Sequence, residues 1–325
     1  ILSSVRTQSN SLINQPEQLA NQASGRRSLL AEWIASPKNP FTARVIVNRL
    51  WQHHLGQGII RTSNDFGKAG SGPSHPALLD YLADWLIRNH WSLKRLHRLI
   101  VLSNTYRLSN LHPQDELCRQ IDPDNRLLWK SNSRRLEAET IRDAMISVSG
   151  KLRFKMGGPG FFERLPEEME TKTSFFSWTT STDSEQHRRS VYMFQRRNLL
   201  HPMMEAFDAA EMNVSCEMRQ SSITTPQVFN LMNSAFSHDA SQALAQRIHK
   251  ETGSSVSCQV IRLFWLGLGR PPVEEELSQC VGFVTNQIRF HTHPIDNHSE
   301  QAPGVAALKD LCHIILNCNE FIYLD

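Results

Sequence analysis

Prolines and glycines fall in this chain where helices begin and end, and the residues between them recur at helical spacing. Asn39-Pro40 puts a capping side chain before a proline at a first helical position, and Gly56 stands where that helix would stop. Between them Phe41, Val45, Val47, Leu50, Trp51 and His54 or Leu55 form one face. Ser74-His75-Pro76 opens a second helix with Leu78, Leu79, Leu82, Trp85 and Leu86 as its apolar stripe. Ser92 caps a third, carrying Leu93, Leu96, Leu99, Ile100 and Ser103 on one side. Thr225-Pro226 is a further start, as is Pro271-Pro272 before Glu274, Glu275 and Glu276, because carboxylates favour the positive end of a helix. The same reasoning predicts helices at about 25–35, 134–149, 226–249, 256–266, 273–289 and 305–318, with Gly150 stopping the one that begins near Arg134.

The pattern lapses between Lys151 and Ser190, where Gly157-Gly158-Pro159-Gly160, scattered aromatics and a Ser/Thr run read as a long loop or insertion. Val191-Tyr192-Met193-Phe194 is the best strand candidate, bounded by Arg188-Arg189 and Arg196-Arg197. A second polar loop is expected from His291 to Gly304. The fold class is therefore mainly α: a multi-helix globular domain with a long loop at about 151–190 and at most a short strand or hairpin. Residues 1–24 read as a linker from upstream domains and 25–325 as a single helical domain, with 150–190 its insertion or loop and 191–325 its C-terminal helical half. The opening Ile1-Leu2-Ser3-Ser4 carries no signal-peptide pattern, so the chain is expected to be part of a longer protein.

Size and charge exclude several classes. At 325 residues with 40% hydrophobic and 21% charged residues, the chain has enough apolar side chains for a core and is not disordered in composition. Its longest apolar runs, such as Leu99-Ile100-Val101-Leu102, fall far short of a membrane span. A net charge of +3, without interleaved basic and aromatic residues, argues against nucleic acid. That small net value hides an asymmetry. Residues 41–110 hold nine basic and three acidic residues, whereas 271–325 hold two basic and eight acidic, and pairing between these two ends is the simplest expectation.

The six cysteines include no C-x-x-C, which argues against a zinc ribbon or a redox pair, and no C-x-x-C-H for attaching a c-type haem. Most are expected to be small buried apolar residues.

The densest unusual cluster runs from Arg49 to His75: Arg49, Trp51, His53, His54, Asn64-Asp65-Phe66-Gly67, Gly70, Gly72 and Ser74-His75. A glycine-rich loop permits close backbone approach to a ligand, and His75 before Pro76 would sit at a helix N-terminus. Asp65 and His75 are the candidate catalytic pair, as acid/base or ligand groups, while Arg49, Trp51, His53 and Asn64 are candidate ligand-binding residues. Equally, Asp65 could cap a turn that the glycines shape, with the histidines packed on Trp51. Arginines form a second theme. Arg134-Arg135-Leu136-Glu137, Glu139 and Arg142-Asp143 fall on one expected helix, where Glu139 and Arg142 are spaced for an intrahelical pair. Arg188-Arg189 and Arg196-Arg197 could present guanidinium forks to carboxylate, sulfate or phosphate. Glu139, Arg142 and Arg189 thus join the ligand-binding set. His291-Thr292-His293 with Asp296 and His298 offers metal-ligand types at loop spacing only, and no metal site is expected. No kinase, P-loop, H-E-x-x-H or G-x-S-x-G pattern is complete.

Several motifs together resemble one family. They are Gly25-Arg26-Arg27, Asn39-Pro40-Phe41-Thr42-Ala43-Arg44-Val45, Val47-Asn48-Arg49, Asn64-Asp65-Phe66-Gly67 and Pro73-Ser74-His75-Pro76. Further along come Asp122-Pro123-x-Asn125, Arg135-Leu136-x-Ala138-Glu139-x-Ile141-Arg142-Asp143-Ala144, Arg188-Arg189-Ser190-Val191-Tyr192 and the ending Asn317–Asp325, with Cys318 where a serine is expected. This combination resembles the planctomycete-specific C-terminal domain (PSD type) of large exported proteins, a domain of unknown function with no established catalytic residues. The resemblance implies export to the periplasm, cell surface or medium, and upstream domains that carry haem c while this segment holds no cofactor. It also implies that Asn48, Arg49, Asp65, His75, Glu139 and Arg142 matter, without assigning them roles. On this basis the domain is expected to be a helical scaffold or partner-binding module, its partners the upstream domains of the same polypeptide and a polysaccharide or redox partner. The alternative is the substrate-binding or catalytic part of a haem-linked enzyme acting on carbohydrate or another anionic or hydroxylated substrate.

Overall fold

Asn39, the first expected cap, spends its side chain on a turn ahead of the helix: its carbonyl oxygen accepts the Phe41 N–H at 2.9 Å, and its amide donates to the Trp33 carbonyl at 3.1 Å. The structure, a computed structural model, describes residues 25–165, 178–197, 199–219, 221–292 and 302–324. The linker reading of 1–24, part of the 151–190 loop, and the His293, Asp296 and His298 group lie outside the described residues. Helices dominate, and the described residues fall into two compact units, one ending at Ser133 and one spanning Arg134–Leu324.

The first unit contains α1 (Gly25–Ala35), α2 (Thr42–Leu55), α3 (Pro76–Arg88), α4 (Leu93–Val101) and α5 (Asp115–Ile121). Several sequence signals act as expected. Pro76 occupies the first turn of α3, the Ser92 hydroxyl accepts the Arg95 N–H, and Gly56 adopts φ +84° as it ends α2. Val47 and Trp51 of α2 pack with Ile59, Ile60, Leu79, Leu82, Leu86, Leu96 and Ile100 into one core. The buried face of α2 also includes two polar residues, Asn48 and Gln52. Asn48 is fully buried because its amide replaces a strand partner: Nδ2 donates to the Ile60 carbonyl at 2.9 Å, and Oδ1 accepts the Ile60 N–H at 2.8 Å. Gln52 Oε1 accepts the Ser63 hydroxyl at 2.5 Å, so the loop after α2 is stitched onto the helix.

The second unit holds β1 (Arg134–Arg135), α6 (Ala138–Val148), α7 (Asp183–Gln186), α8 (Pro202–Ala206), α9 (Thr225–Asn233), α10 (Ala235–Thr252), α11 (Val256–Gly267), α12 (Glu274–Thr292), α13 (Pro303–Leu316), α14 (Asn319–Ile322) and β2 (Tyr323–Leu324). Helix α13 packs between α10 and α12, and α11 packs on both α10 and α12. Their core runs through Leu244, Ile248, Val260, Leu263, Val284, Leu308, Leu311 and Leu316 to Ile141 and Met145 of α6. β1 and β2 pair antiparallel, Arg134 opposite Leu324 and Arg135 opposite Tyr323, which ties the two ends of the unit together.

Four expectations change. The helix expected from Arg134 starts at Ala138, because Arg134 and Arg135 are drawn into the β2 ladder and the Arg135 guanidinium binds the Ser222 and Phe207 carbonyls and Asp208. The single helix expected over 226–249 is two, broken at Ser234, whose hydroxyl accepts the Ser237 N–H and caps α10 while α9 ends. The strand expected at Val191–Phe194 is a 3₁₀ turn over Ser190–Tyr192 followed by one isolated bridge, Met193 to Phe161. Both the N–H and the hydroxyl of Ser190 bond to Asp143, which holds the segment in a turn. Finally, only Cys312 is buried; Cys216 and Cys258 are exposed, and all six thiols are free.

Among the described residues, several ion pairs of the two charged segments form within one unit. Arg44 pairs with Asp80 and Arg88 with Asp84 in the first unit, while Glu276 and Glu320 both pair with Arg270 and Asp310 meets His291 in the second.

Candidate functional site

Six of the residues singled out from the sequence belong to the first unit. Arg49 donates to the Asn64 side chain at 3.0 Å, bracing the glycine-rich loop against α2. The Asp65 carboxylate accepts the Gly67 N–H at 2.8 Å, and the Thr62 hydroxyl donates to the Asp65 carbonyl at 2.8 Å. A side chain at Gly70 would place its Cβ 2.0 Å from that carbonyl oxygen, so the loop can close only with glycine there. His75 is the residue before α3 and its Nδ1 lies 3.0 Å from the Ser74 hydroxyl. Trp51 is core, and His53 is exposed near the end of α2. The structure thus joins Arg49 to Asn64 and makes Asp65 the organiser of a tight loop.

The other three, Glu139, Arg142 and Arg189, belong to the second unit and meet around the start of α6. Glu137 precedes α6, and Glu139, Thr140 and Asp143 sit on its first turns. With Arg189, Ser190, Val191, Met193, Gln195, Met212 and Arg219 they line a cleft of about 480 Å³. Arg219 reaches Glu139 with two hydrogen bonds, at 2.6 and 3.0 Å, and lies 3.4 Å from Glu137. Burial acts to raise the Glu139 pKa, but the Arg219 hydrogen bonds, a backbone N–H and the Arg219 charge outweigh it, and the carboxyl sits below its usual range. The Arg219 guanidinium is correspondingly held more firmly protonated, chiefly by its bonds to Glu139. In the same cleft Arg189 comes within 3.7 Å of Asp143, whose Oδ1 accepts both the N–H and the hydroxyl of Ser190 at 2.7 Å.

Arg142 lies beneath this cleft rather than in it. Its side chain is 2% exposed, and its donors go to Glu163, the Gln186 carbonyl at 2.6 Å, and the Arg188 carbonyl and Ser190 hydroxyl at 3.3 Å each. Phe161 and Phe236 face the guanidinium at 5.2 and 5.5 Å. The partner of Arg142 is therefore Glu163, and that of Glu139 is Arg219, in place of the intrahelical pair their spacing suggested. Burial pushes the Glu163 carboxyl up against the pull of the Arg142 charge. Arg188 is also fully buried; it donates to the Gly157 and Pro159 carbonyls, pairs with Glu185, and stacks 4.2 Å from the Tyr192 ring. Two buried guanidinium groups thus organise the irregular stretch that carries Arg189 and Ser190, leaving Arg189 alone of the Arg188-Arg189 pair at the surface.

The PSD1 family model, described as proteins of unknown function (DUF1553), matches residues 26–284. The chain belongs to this family. No curated protein and no solved structure matches it. The PSD1 match covers residues of both units and every residue lining the cleft, so the cleft belongs to the family domain.

In this PSD1 domain the cleft offers paired acceptors and donors. Glu139 is held ionised by Arg219, and Asp143 is occupied by Ser190. Among the described residues no group of three or more His, Cys, Asp or Glu side chains is placed to hold a metal ion, and no helix is long and apolar enough to cross a membrane. Nothing in the sequence marks Arg219, which lies eighty positions from Glu139 in a stretch with no motif. Asp143 and Ser190 were visible within motifs, but nothing in their spacing links them.

Proposed function

We propose that the domain is a binding module, the C-terminal part of an exported planctomycete protein whose upstream domains carry haem c, and that the cleft at the start of α6 receives a hydroxyl-rich carbohydrate chain. The single observation that carries this reading is the two-point Glu139–Arg219 pair lining the same cleft as Asp143 and Arg189. A sugar hydroxyl donates one hydrogen bond and accepts others, so adjacent carboxylate and guanidinium groups satisfy both of its roles. Volume supports the same class, since about 480 Å³ lies within the range of small-ligand sites. The framework beneath is preorganised, because Arg142 and Arg188 are buried, bond to surrounding carbonyls and hold the Arg189–Ser190 turn in place. Binding is favoured over catalysis because the carboxylates of the cleft are engaged within it, Glu139 by Arg219 and Asp143 by Ser190.

The test is calorimetric titration of the whole chain with cellohexaose, xylohexaose and mannohexaose. Binding of at least one is expected, weakened about tenfold by Arg219→Met and by Glu139→Gln, a loss equivalent to one charge-assisted hydrogen bond. Failure of all three to bind, or equal binding by both variants, would overturn the reading.

A further inference from the structure

The Asp122-Pro123-x-Asn125 motif builds a second cleft, confined to the first unit. The Asp122 carboxylate accepts the N–H groups of Arg126 and Leu127 at 3.0 and 2.7 Å, and its carbonyl accepts the Trp129 indole N–H at 3.1 Å. Asn125, buried and at φ +49°, accepts the Trp129 N–H at 2.9 Å and donates to the Lys130 carbonyl at 2.8 Å and to Asn132 at 3.0 Å. Two side chains thereby fix the whole turn from Asp122 to Asn132 without regular secondary structure.

That turn forms one wall of a cleft of about 440 Å³, with Trp129, Lys130 and Asn132 on it and Gln57, Arg61 and Arg119 joining from the loop after α2 and from α5. Three cations line the cleft against one carboxylate, Asp124. Asp115, behind the wall, holds Lys130 at 2.9 Å and Arg119 at 2.5 Å, which fixes both cations in place. Hydrogen bonding from Lys130 is the largest cause holding the Asp115 carboxyl below its usual range, so it stays an anion. Even with Asp115 counted, positive charge exceeds negative here. The surrounding residues 25–133 carry fifteen basic and eight acidic side chains, so the cleft opens into a positive field that draws anions in.

We propose that this cleft binds an acidic sugar, a hydroxylated ring bearing a carboxylate or sulfate. Arg61 and Arg119 would take the oxyanion, a role for which fixed guanidinium groups are suited. The Trp129 indole, held by Asp122 and with the Lys130 ammonium 4.7 Å from its ring centre, lines the cleft beside the amides of Gln57 and Asn132, which suit the hydroxyls of a sugar ring. The space far exceeds what a bare oxyanion fills. Asp124 currently engages Arg61, through its carboxylate and its carbonyl at 3.3 Å each, and would yield that guanidinium to the ligand. This inference is independent of the α6 cleft, since its residues are all different.

The test titrates the whole chain with glucuronate, glucose 6-sulfate, glucose and inorganic sulfate at matched ionic strength. Glucuronate or glucose 6-sulfate is expected to bind in the range of about 1 mM, with glucose and inorganic sulfate at least about tenfold weaker. Added salt should weaken binding further. Arg61→Ser and Arg119→Ser change side chains that are 44% and 61% exposed and leave the core intact, and together they should abolish binding. Asp124→Asn should tighten it, a gain that misfolding could not produce. The proposal is overturned if neither acidic sugar binds, if glucose or inorganic sulfate binds as well, or if the arginine or Asp124 variants leave affinity unchanged.

Discussion

Glu139 and Arg219, eighty positions apart in sequence, meet in a two-point ion pair at 2.6 and 3.0 Å on the wall of the α6 cleft. Their side chains are 23% and 30% exposed, so water screens the pair in part while the guanidinium still clamps the otherwise irregular stretch before α9 against α6. The Thr224 capping box that starts α9 lies five residues beyond this clamp.

A double-mutant cycle should therefore find the two residues coupled. Glu139→Gln and Arg219→Met are each expected to lower the unfolding free energy by about 1 kcal/mol, and the double variant to fall short of their sum by about 1 kcal/mol. Urea denaturation of the four proteins measures this. Strict additivity would mean that the contact contributes nothing to stability.

Arg142 poses a different case, because its charge is buried. Removing it leaves Glu163, itself 8% exposed, without its counterion and strips hydrogen bonds from the Gln186 and Arg188 carbonyls. Arg142→Met should cost about 3–5 kcal/mol, the usual cost of stranding one member of a buried pair. Adding Glu163→Gln should recover a large part of that loss. A recovery indistinguishable from zero would show that the carbonyl contacts, and not the charge, are what Arg142 provides.

The contrast between these two arginines shows what local spacing reveals. Pro76, Ser92, Gly56 and Thr225-Pro226 act on their own neighbours, and the helices they bound were legible in advance. Ser234 breaks a continuous apolar pattern by capping from within it, a choice between two locally acceptable conformations that only packing decides. Arg134 and Arg135 look helical but pair with Tyr323 and Leu324 from the far end of the unit. The site divides the same way: Glu139 and Arg189 stood out, whereas whether an arginine such as Arg142 is a surface fork or a buried hub depends on acceptors 21 to 48 residues away.

Gly58 gives a sharper steric prediction. A Cβ there would lie 2.6 Å from the Ile60 carbonyl oxygen and 2.7 Å from the Asn48 amide nitrogen, breaking the exchange that stands in for a strand pair. Gly58→Ala should destabilise by about 2 kcal/mol or more, since the obstacle is backbone and the polar partner is buried. Gly72 has nothing within 4 Å of its hypothetical Cβ, so Gly72→Ala should be neutral to within about 0.5 kcal/mol. Thermal denaturation of the pair separates a steric demand from a general intolerance of the loop.

Acid should weaken the second unit as the pH falls below the ordinary imidazole range, and His201 sets the window. Burial of its imidazole, with the Arg142 charge adding to it, pulls the pKa from 6.5 down to about 4 against a hydrogen bond with the Arg164 backbone. The folded state thus refuses a proton that the unfolded chain accepts, so stability is unaffected above pH 6.5 and declines as pH falls from there toward 4. The full loss reaches up to about 3 kcal/mol. His313 acts in the same direction, lowered first by burial and then by the neighbouring His238. Because the His201 Nδ1 accepts the Met203 N–H at the start of α8, His201→Asn keeps a capping acceptor while removing the titration. Urea midpoints at pH 7.5, 5.5 and 4.5 should fall steeply for the natural sequence and distinctly less for His201→Asn. Parallel slopes for the two proteins would move the acid sensitivity away from His201.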